Sequence, residues 1–214
     1  MSTPKQTVDW YFDFISPFAY LQWHLLQRET STFTLQPIPT LFAGLLAHWD
    51  NKGPVEIAPK RQWTYEHCLW IAHRHDIPMR LPAQHPFNPL PLLRLCIAKQ
   101  NDHAVVDRLF RYVWQEGHLP SDAIAWQALL QELEITSAEI ETTEVKNTLR
   151  RHGELAIASG VFGVPNAVVN ERCFWGVDAT DMLIAYLNQD AFFTSPEFKS
   201  AENLPVGVQR PTQK

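Results

Sequence analysis

Residues 8–20 read VDWYFDFISPFAY, and this stretch decides the fold. Positions 8–15 are rich in aromatic and β-branched residues. The even positions are all apolar, whereas the odd positions include Asp9 and Asp13, and this alternation predicts a strand. Ser16 is a good helix N-cap and Pro17 suits the first helical position, so a helix is predicted over 18–29. The chain therefore begins with a strand followed directly by a helix.

Working outward, residues 33–38 (FTLQPI) predict a second strand and complete a β-α-β start. From about residue 40 to 158 the spacing of apolar residues is helical, with breaks at 51–54, 77–91 and 116–122. Thr136 and Glu139 form a capping signal for one helix that runs to Ser159. The middle of the chain is therefore predicted to be entirely helical.

Strand patterns return in the last quarter of the chain. Residues 164–169 (VPNAVV) and 173–177 (CFWGV) predict a tight hairpin, residues 180–187 a final helix, and the tail from Ala191 irregular structure. Neither terminal strand pair would be stable alone, so the strands at both ends must share one sheet. We predict an α/β, thioredoxin-like fold (βαβ…ββα): a discontinuous domain of residues 1–40 and 159–214, with a large all-helical insertion domain of residues 41–158.

Composition narrows the class of function. Hydrophobic residues at 45% and charged residues at 19% indicate a folded globular protein. The net charge of -5 offers no basic surface, so we expect a small-molecule partner and no nucleic acid. Cys68, Cys96 and Cys173 form no C-x-x-C motif, which excludes a disulfide framework and fits a reducing compartment. The N-terminus lacks the pattern of a secretory signal and no apolar window is long enough to span a bilayer, so we expect a cytoplasmic protein without membrane partners.

A metal site is not expected. His67, Cys68, His73 and His75 fall around one predicted helix, but their spacing places no pair at i and i+4 on one face.

The first candidate site is the junction between the first strand and the first helix. In a thioredoxin-like fold a C-x-x-C motif would lie here, but residues 16–19 read SPFA, which excludes thiol–disulfide exchange at this site. A helix start still offers free N–H groups and partial positive charge, which favour a thiolate brought by a ligand, and the Ser16 hydroxyl can donate one more hydrogen bond. The alternative is that Ser16 only caps the helix.

The second candidate site is Gly163-Val164-Pro165, at the start of a predicted strand. A cis Val164–Pro165 bond would leave the Val164 backbone N–H and C=O free to pair with an extended peptide ligand. The alternative is an ordinary trans proline at a strand edge.

These two motifs, at opposite ends of a helical insertion, carry a resemblance to a known family. The sequence resembles the 2-hydroxychromene-2-carboxylate isomerases and the related kappa-class glutathione transferases, which have a fold of the DsbA type. The resemblance covers nearly the whole chain. It rests on DFISPFAYL (13–21), PVEIAPK (54–60), HPFNPLPLLR (85–94), GVFGVP (160–165) and FWGVD (174–178).

The resemblance implies roles for individual residues around bound glutathione. Ser16 would face the glutathione sulfur and act as the catalytic residue. The residues expected to bind glutathione are Asn51, Lys60, Val164, Pro165, Trp175 and Asp178. Lys60 as an exposed helix lysine, and Asp178 as a helix cap, remain open alternatives.

Phe87 and Asn88 lie in the Pro-rich loop and could line a pocket for an aromatic acid, or both could simply shape a turn. The sequence departs from the family pattern at three positions. Ala179 stands where an arginine is usual, and Asn166 and Ala167 replace the usual Thr-Phe after the proline.

The function that the resemblance implies is a glutathione-dependent isomerase. It would convert a 2-hydroxychromene-2-carboxylate-type aromatic catabolite to the open-chain trans-o-hydroxybenzylidenepyruvate, with glutathione recycled, and the resemblance also suggests a homodimer. Two alternatives stay open: a kappa-like glutathione transferase, in which the thiolate stays attached to an electrophile, and a non-catalytic glutathione- or peptide-binding protein.

Overall fold

The computed structural model describes residues 5–29 and 32–208. In the described residues the chain runs through β1 (Gln6–Phe12), α1 (Pro17–Gln27), β2 (Phe33–Pro39), α2 (Phe42–His48), α3 (Ala58–Arg74), α4 (Leu90–Ala98), α5 (His103–Trp114), α6 (Ala123–Glu132), α7 (Ser137–Ile140), α8 (Thr143–Ala158), β3 (Asn166–Val169), β4 (Arg172–Trp175), α9 (Thr180–Leu187) and α10 (Pro196–Ser200).

One mixed sheet of four strands joins the two ends of the chain. Its order is β2-β1-β3-β4, with β1 parallel to β2 and antiparallel to β3. The strands of the last quarter therefore extend the β-α-β unit of the first forty residues, as predicted. All the elements between β2 and β3 are helical, also as predicted, while the division into two domains at residues 40/41 and 158/159 stays a prediction.

The two faces of the sheet are packed against different elements. Trp10, Phe12 and Phe174 belong to the main core, which extends into the helical region through Phe110 and Trp114. The opposite face carries a smaller cluster built on Tyr11, Leu45, Val164 and Val168, together with Ala156 of α8. Both faces of the sheet are thus covered by apolar contacts.

Two of the predicted elements have the wrong bounds. β1 ends at Phe12 rather than residue 15, because Asp13 folds the chain into a turn. The predicted helix from residue 137 to 159 is two helices: Thr136 and Glu139 do form the capping box of α7, but Thr142 caps a new helix, α8, by accepting from Val145.

The tail is also more regular than predicted. Ser195 accepts a hydrogen bond from the Phe198 N–H at 3.1 Å and so caps α10. Phe198 packs against Phe193, and the Arg172 guanidinium lies 4.8 Å above the Phe198 ring. These contacts hold the tail against β4. Among the described residues, no helix combines the length and apolar character that crossing a membrane requires.

Candidate functional site

The turn between β1 and α1 is built around a buried carboxyl group. Asp13 is fully buried; its Oδ1 accepts a hydrogen bond from the Ile15 N–H at 3.1 Å and its Oδ2 accepts one from the Phe42 N–H at 2.9 Å. The Ser16 N–H donates to the Asp13 carbonyl at 3.0 Å. Burial raises the pKa of Asp13 to about 7, against the opposing effect of these donors. Asp13 thus joins the turn that precedes Ser16 to the start of α2.

Two side chains from the helical region hold the carbonyl groups of the same turn. The Trp114 indole N–H of α5 donates to the Phe14 carbonyl at 2.9 Å, and His85 Nε2 lies 2.8 Å from the Ile15 carbonyl. The position of Ser16 is therefore fixed by the sheet, by α5 and by the loop that contains His85.

Ser16 caps α1 and still has a hydrogen to donate. Its Oγ accepts from the Ala19 N–H at 3.2 Å, and the residue is buried. A serine hydroxyl has one donor hydrogen besides its acceptor lone pairs, and that hydrogen has no acceptor among the described residues. The Phe18 N–H in the first turn of α1 likewise has no acceptor within residues 5–29 and 32–208. The two interpretations of Ser16, helix cap and hydrogen-bond donor to a ligand, are compatible.

The Val164–Pro165 bond is cis, as the first interpretation of that motif requires, while the pairing of Val164 with a ligand stays a prediction. β1 and β3 pair through Tyr11 with Asn166, and continuing this antiparallel register places Val164 across from Asp13. Val164 therefore lies at the end of the sheet where the turn leads into Ser16. Neither the N–H nor the C=O of Val164 hydrogen-bonds within the described part of the chain, whereas the Pro165 carbonyl accepts from the Gly176 N–H at 2.9 Å.

Trp175 flanks the same motif. Its side chain is 54% exposed, and its ring stands edge-on to that of Phe162, with the ring centroids 5.0 Å apart. A Cβ atom on Gly163 would lie 2.8 Å from Trp175 Nε1, closer than a Cβ atom normally approaches another heavy atom. The glycine before Val164 therefore lets this exposed indole lie against the backbone.

Asn51, Lys60 and Asp178 are all exposed and have no hydrogen bond or ion pair to Ser16 or Val164 within the described residues. Asn51 Oδ1 accepts a hydrogen bond from the Lys52 N–H at 2.8 Å. In the same segment the Trp49 indole N–H donates to the Val161 carbonyl at 3.0 Å. Their roles toward a ligand stay predictions.

Asn88 and Phe87 have different environments. Asn88 Oδ1 accepts from the Leu90 N–H at 3.1 Å, so this side chain shapes the turn before α4, as in the second of the two interpretations. Phe87 is half-buried, with its ring 6.0 Å from that of His85, and so lies near the Ser16 turn.

Sequence reasoning missed three residues that position Ser16, namely Asp13, His85 and Trp114. A signal existed for Asp13, since it is an ionisable residue inside an otherwise apolar segment that ends at the candidate site. His85 lies in the HPFNPLPLLR motif, and nothing local to it indicates a partner 70 residues away. In the described part of the chain, no group of three or more His, Cys, Asp or Glu side chains is placed to hold a metal ion.

Comparison with protein families matches residues 7–188 to the model of the DSBA-like thioredoxin domain. The chain belongs to the DSBA-like thioredoxin family. The predicted fold is thereby confirmed. A solved structure of a 2-hydroxychromene-2-carboxylate isomerase superposes on this DSBA-like chain with a TM-score of 0.76 at 21% identity, covering 93% of this chain and all of the other.

The relatives of this DSBA-like chain include two enzyme groups, which confirms the resemblance seen in the sequence. A 2-hydroxychromene-2-carboxylate isomerase of Sphingobium xenophagum is 27% identical over 85% of this chain and 98% of its own length. Glutathione S-transferase kappa 2 of Caenorhabditis elegans is 27% identical over 75% of this chain and 80% of its own. A cytosolic disulfide reductase of Pseudomonas aeruginosa, solved with glutathione, shares the fold at 16% identity with a TM-score of 0.56, over 85% of this chain and 99% of its own. These relatives support an enzyme.

Proposed function

We propose that this protein is a glutathione-dependent isomerase that converts a 2-hydroxychromene-2-carboxylate-type substrate to the trans-o-hydroxybenzylidenepyruvate. One observation carries the proposal: donors at the start of α1 and the backbone of Val164, all without partners in the described residues, lie at the same end of the sheet. The first group suits a sulfur anion and the second suits the peptide to which that sulfur is attached.

The start of α1 fits a thiolate. The Ser16 hydroxyl hydrogen and the Phe18 N–H have no acceptor among the described residues, and the helix start carries partial positive charge. A free thiol has a pKa of about 8.5 and is mostly protonated at neutral pH, so donors aimed at the sulfur raise the fraction of thiolate. Residue 16 is a serine, so the chain itself offers no sulfur there, and the reactive thiol must come with the ligand.

The Val164 backbone fits the rest of glutathione. Its N–H and C=O can pair with a peptide backbone as an added strand does. We propose that the exposed side chains of Asn51, Lys60, Trp175 and Asp178 contact the remaining parts of the tripeptide, with the Lys60 ammonium facing a carboxylate. Ala179 brings no charge to the position where an arginine is usual, so the binding of the second carboxylate depends on other groups.

Glutathione supplies, when bound, a thiolate that adds reversibly to the conjugated system of the substrate, so that the double bond becomes single and can rotate. The residues of this chain hold that sulfur at the start of α1 and hold its peptide at Val164. The ring of Phe87, close to the same turn, provides an apolar surface for an aromatic substrate.

The kappa-class relative supports a second candidate, a glutathione transferase, at the same 27% identity as the isomerase relative. An ultraviolet assay of chromene-carboxylate isomerisation, with and without glutathione, separates the candidates. The isomerase requires glutathione and leaves its concentration unchanged, whereas a transferase consumes one glutathione per product. Binding of glutathione with neither reaction would identify a binding protein, and isomerisation at an equal rate without glutathione would refute the proposal.

A further inference from the structure

A small cavity lies beside the Ser16 turn and is not used by the glutathione contacts proposed above. It has a volume of about 260 Å³ and is lined by Arg61 and Tyr65 of α3 and by Leu81, Pro82, Ala83 and His85 of the following loop. His85 forms the wall next to Ser16, because its Nε2 atom is 2.8 Å from the carbonyl of Ile15. The cavity therefore shares the His85 side chain with the turn that leads into Ser16.

The hydrogen bonds in this wall fix the tautomer of His85. The Ile15 carbonyl can only accept, so His85 Nε2 carries the hydrogen and donates it. In the neutral ring Nδ1 then has a lone pair, and it accepts from the Tyr65 hydroxyl at 2.9 Å, which is shorter than the 3.3 Å contact of that hydroxyl with the His85 carbonyl. The result is a hydroxyl group, a base and an orienting carbonyl in series, which is the arrangement of an activated hydroxyl.

Both members of the pair are neutral near pH 7. Burial lowers the pKa of His85, the Ile15 carbonyl opposes this effect, and the charge of Arg61 adds to it. Burial raises the pKa of Tyr65, with Arg61 opposing and Cys68 adding to the shift. α5 presents the uncharged Trp114 ring to His85, 5.6 Å away. A neutral imidazole and a neutral phenol can pass a proton in either direction.

Arg61 supplies the charge of the cavity. Its Nε donates to the Val55 carbonyl at 3.0 Å, and its terminal nitrogens form no ion pair within the described residues. A guanidinium beside a phenol is a suitable receptor for a carboxylate next to a hydroxyl group, since it can form two parallel hydrogen bonds.

We infer that this cavity holds the carboxylate and hydroxyl end of the substrate, with Arg61 binding the carboxylate and the Tyr65 hydroxyl, backed by His85, moving the proton that opens the ring. The inference rests on the proposed isomerase function. Tyr65 is then a catalytic residue that contacts the substrate, and His85 is a positioning residue that acts through Tyr65.

The proton transfer is balanced. The substrate is a cyclic hemiketal whose C2 carries a hydroxyl, the carboxylate and the ring oxygen. Tyr65 accepts the C2 hydroxyl proton while its own proton moves to His85 Nδ1, the C2–O ring bond breaks, and the electron pair of the O–H bond forms the ketone. The proton returns through Tyr65 to the ring oxygen, which becomes a phenol. No oxidant or further reactant is needed.

Steady-state kinetics of three variants test the inference once the unmodified protein has shown glutathione-dependent isomerisation. Tyr65→Phe removes the hydroxyl, and His85→Gln keeps a donor that can reach the Ile15 carbonyl but removes the basic nitrogen. Each should lower kcat by about a hundredfold or more, the lower end of what a general acid–base group contributes. Arg61→Gln should mainly raise KM for the substrate. Tyr186→Phe and Arg74→Gln are the matched controls, and glutathione binding followed by calorimetry should persist in all five variants.

The pH profile separates proton transfer from a structural role. In the unmodified protein kcat/KM should fall at acidic pH as the His85 imidazole becomes protonated, with a midpoint below the ordinary histidine value, and His85→Gln should lose this limb. Nitrogen NMR of the unmodified protein should show His85 protonated at Nε2 only. An inactive unmodified protein would refute the proposed function. An active protein whose Tyr65→Phe variant keeps its kcat, or whose His85 carries its proton on Nδ1, would refute this inference alone.

Discussion

The N–H of Ala19 donates to Ser16 Oγ at 3.2 Å, so Ser16 caps α1 while its own hydroxyl hydrogen has no acceptor in the described part of the chain. The cap uses a lone pair of the oxygen and the ligand would use the hydrogen, so neither role excludes the other. Replacing Ser16 should therefore lower both the free energy of unfolding and kcat, and the two effects should be independent of each other.

Ser16→Ala should lower the free energy of unfolding by about 1 kcal/mol, as loss of an N-cap does, and should lower kcat by roughly tenfold or more. Thr142→Ala is the matched control, because Thr142 caps α8 in the same way by accepting from the Val145 N–H. It should cost similar stability with unchanged kcat. Chemical denaturation and the isomerase assay measure the two effects. Equal kcat in both variants would remove Ser16 from the mechanism.

The buried carboxyl group of Asp13 should make stability depend on pH. Its pKa is about 7 in the folded protein, against an ordinary value of 3.8. Between about pH 4 and 7 the folded state keeps a proton that the unfolded state has released. The contribution of Asp13 to the free energy of unfolding is thus full below pH 4, falls as pH rises to about 7, and then stays constant.

The measurement must be a difference, because His24, His85 and His152 have pKa values lowered by burial and act in the opposite direction below pH 6.5. The unfolding free energies of the unmodified protein and of Asp13→Asn should be compared at several pH values from 4 to 8. The variant loses an acceptor for the Ile15 or Phe42 N–H, and this loss is the same at every pH. Because the variant also lacks the titrating carboxyl group, the difference in unfolding free energy in favour of the unmodified protein should be greatest at pH 4 and decrease toward pH 7. A difference that does not change with pH would contradict a raised pKa.

How far the sequence predicts this molecule depends on the range of the interactions involved. The Ser16-Pro17 signal predicts the start of α1 because a cap involves only neighbouring residues, and the same Ser-Pro signal at Ser195-Pro196 begins α10, where it was overlooked. The helix boundary at Thr142 was missed for a related reason, since one capping signal had already been assigned six residues earlier.

The site was predicted only in part, because its geometry depends on contacts between distant segments. The cis bond before Pro165 was one of two interpretations of its motif, whereas the exposure of the Trp175 indole was not predicted. The hydrogen bond between His85 and Ile15 joins residues far apart in sequence. The hydrogen bond from the Trp114 indole to the Phe14 carbonyl joins residues that are even farther apart. Only the folded packing of α5 and the Pro-rich loop on the turn brings these groups together.

A charge-removing variant tests the proposed contact of Lys60. Lys60→Gln should raise KM for glutathione several-fold with little change in stability, because the side chain is exposed and makes no ion pair in the described residues. Lys199→Gln in α10 is the control for loss of a lysine elsewhere on the surface. The KM difference should shrink at high salt, since salt screens an exposed ion pair. The same KM in both variants would leave Lys60 as an ordinary surface residue.

Gly163 offers a test of the surface formed by Trp175. In Gly163→Ala the new Cβ would lie 2.8 Å from Trp175 Nε1, and since that indole is 54% exposed it can swing away. The substitution should therefore mainly weaken ligand binding and raise KM for glutathione several-fold. The free energy of unfolding should decrease by less than about 1.5 kcal/mol. Gly153→Ala is the matched control: no atom lies within 4 Å of its added Cβ, and in the middle of α8 it should stabilise the protein by about 0.5–1 kcal/mol without changing KM. Unchanged glutathione binding in Gly163→Ala would show that the position of the Trp175 ring does not matter to the ligand.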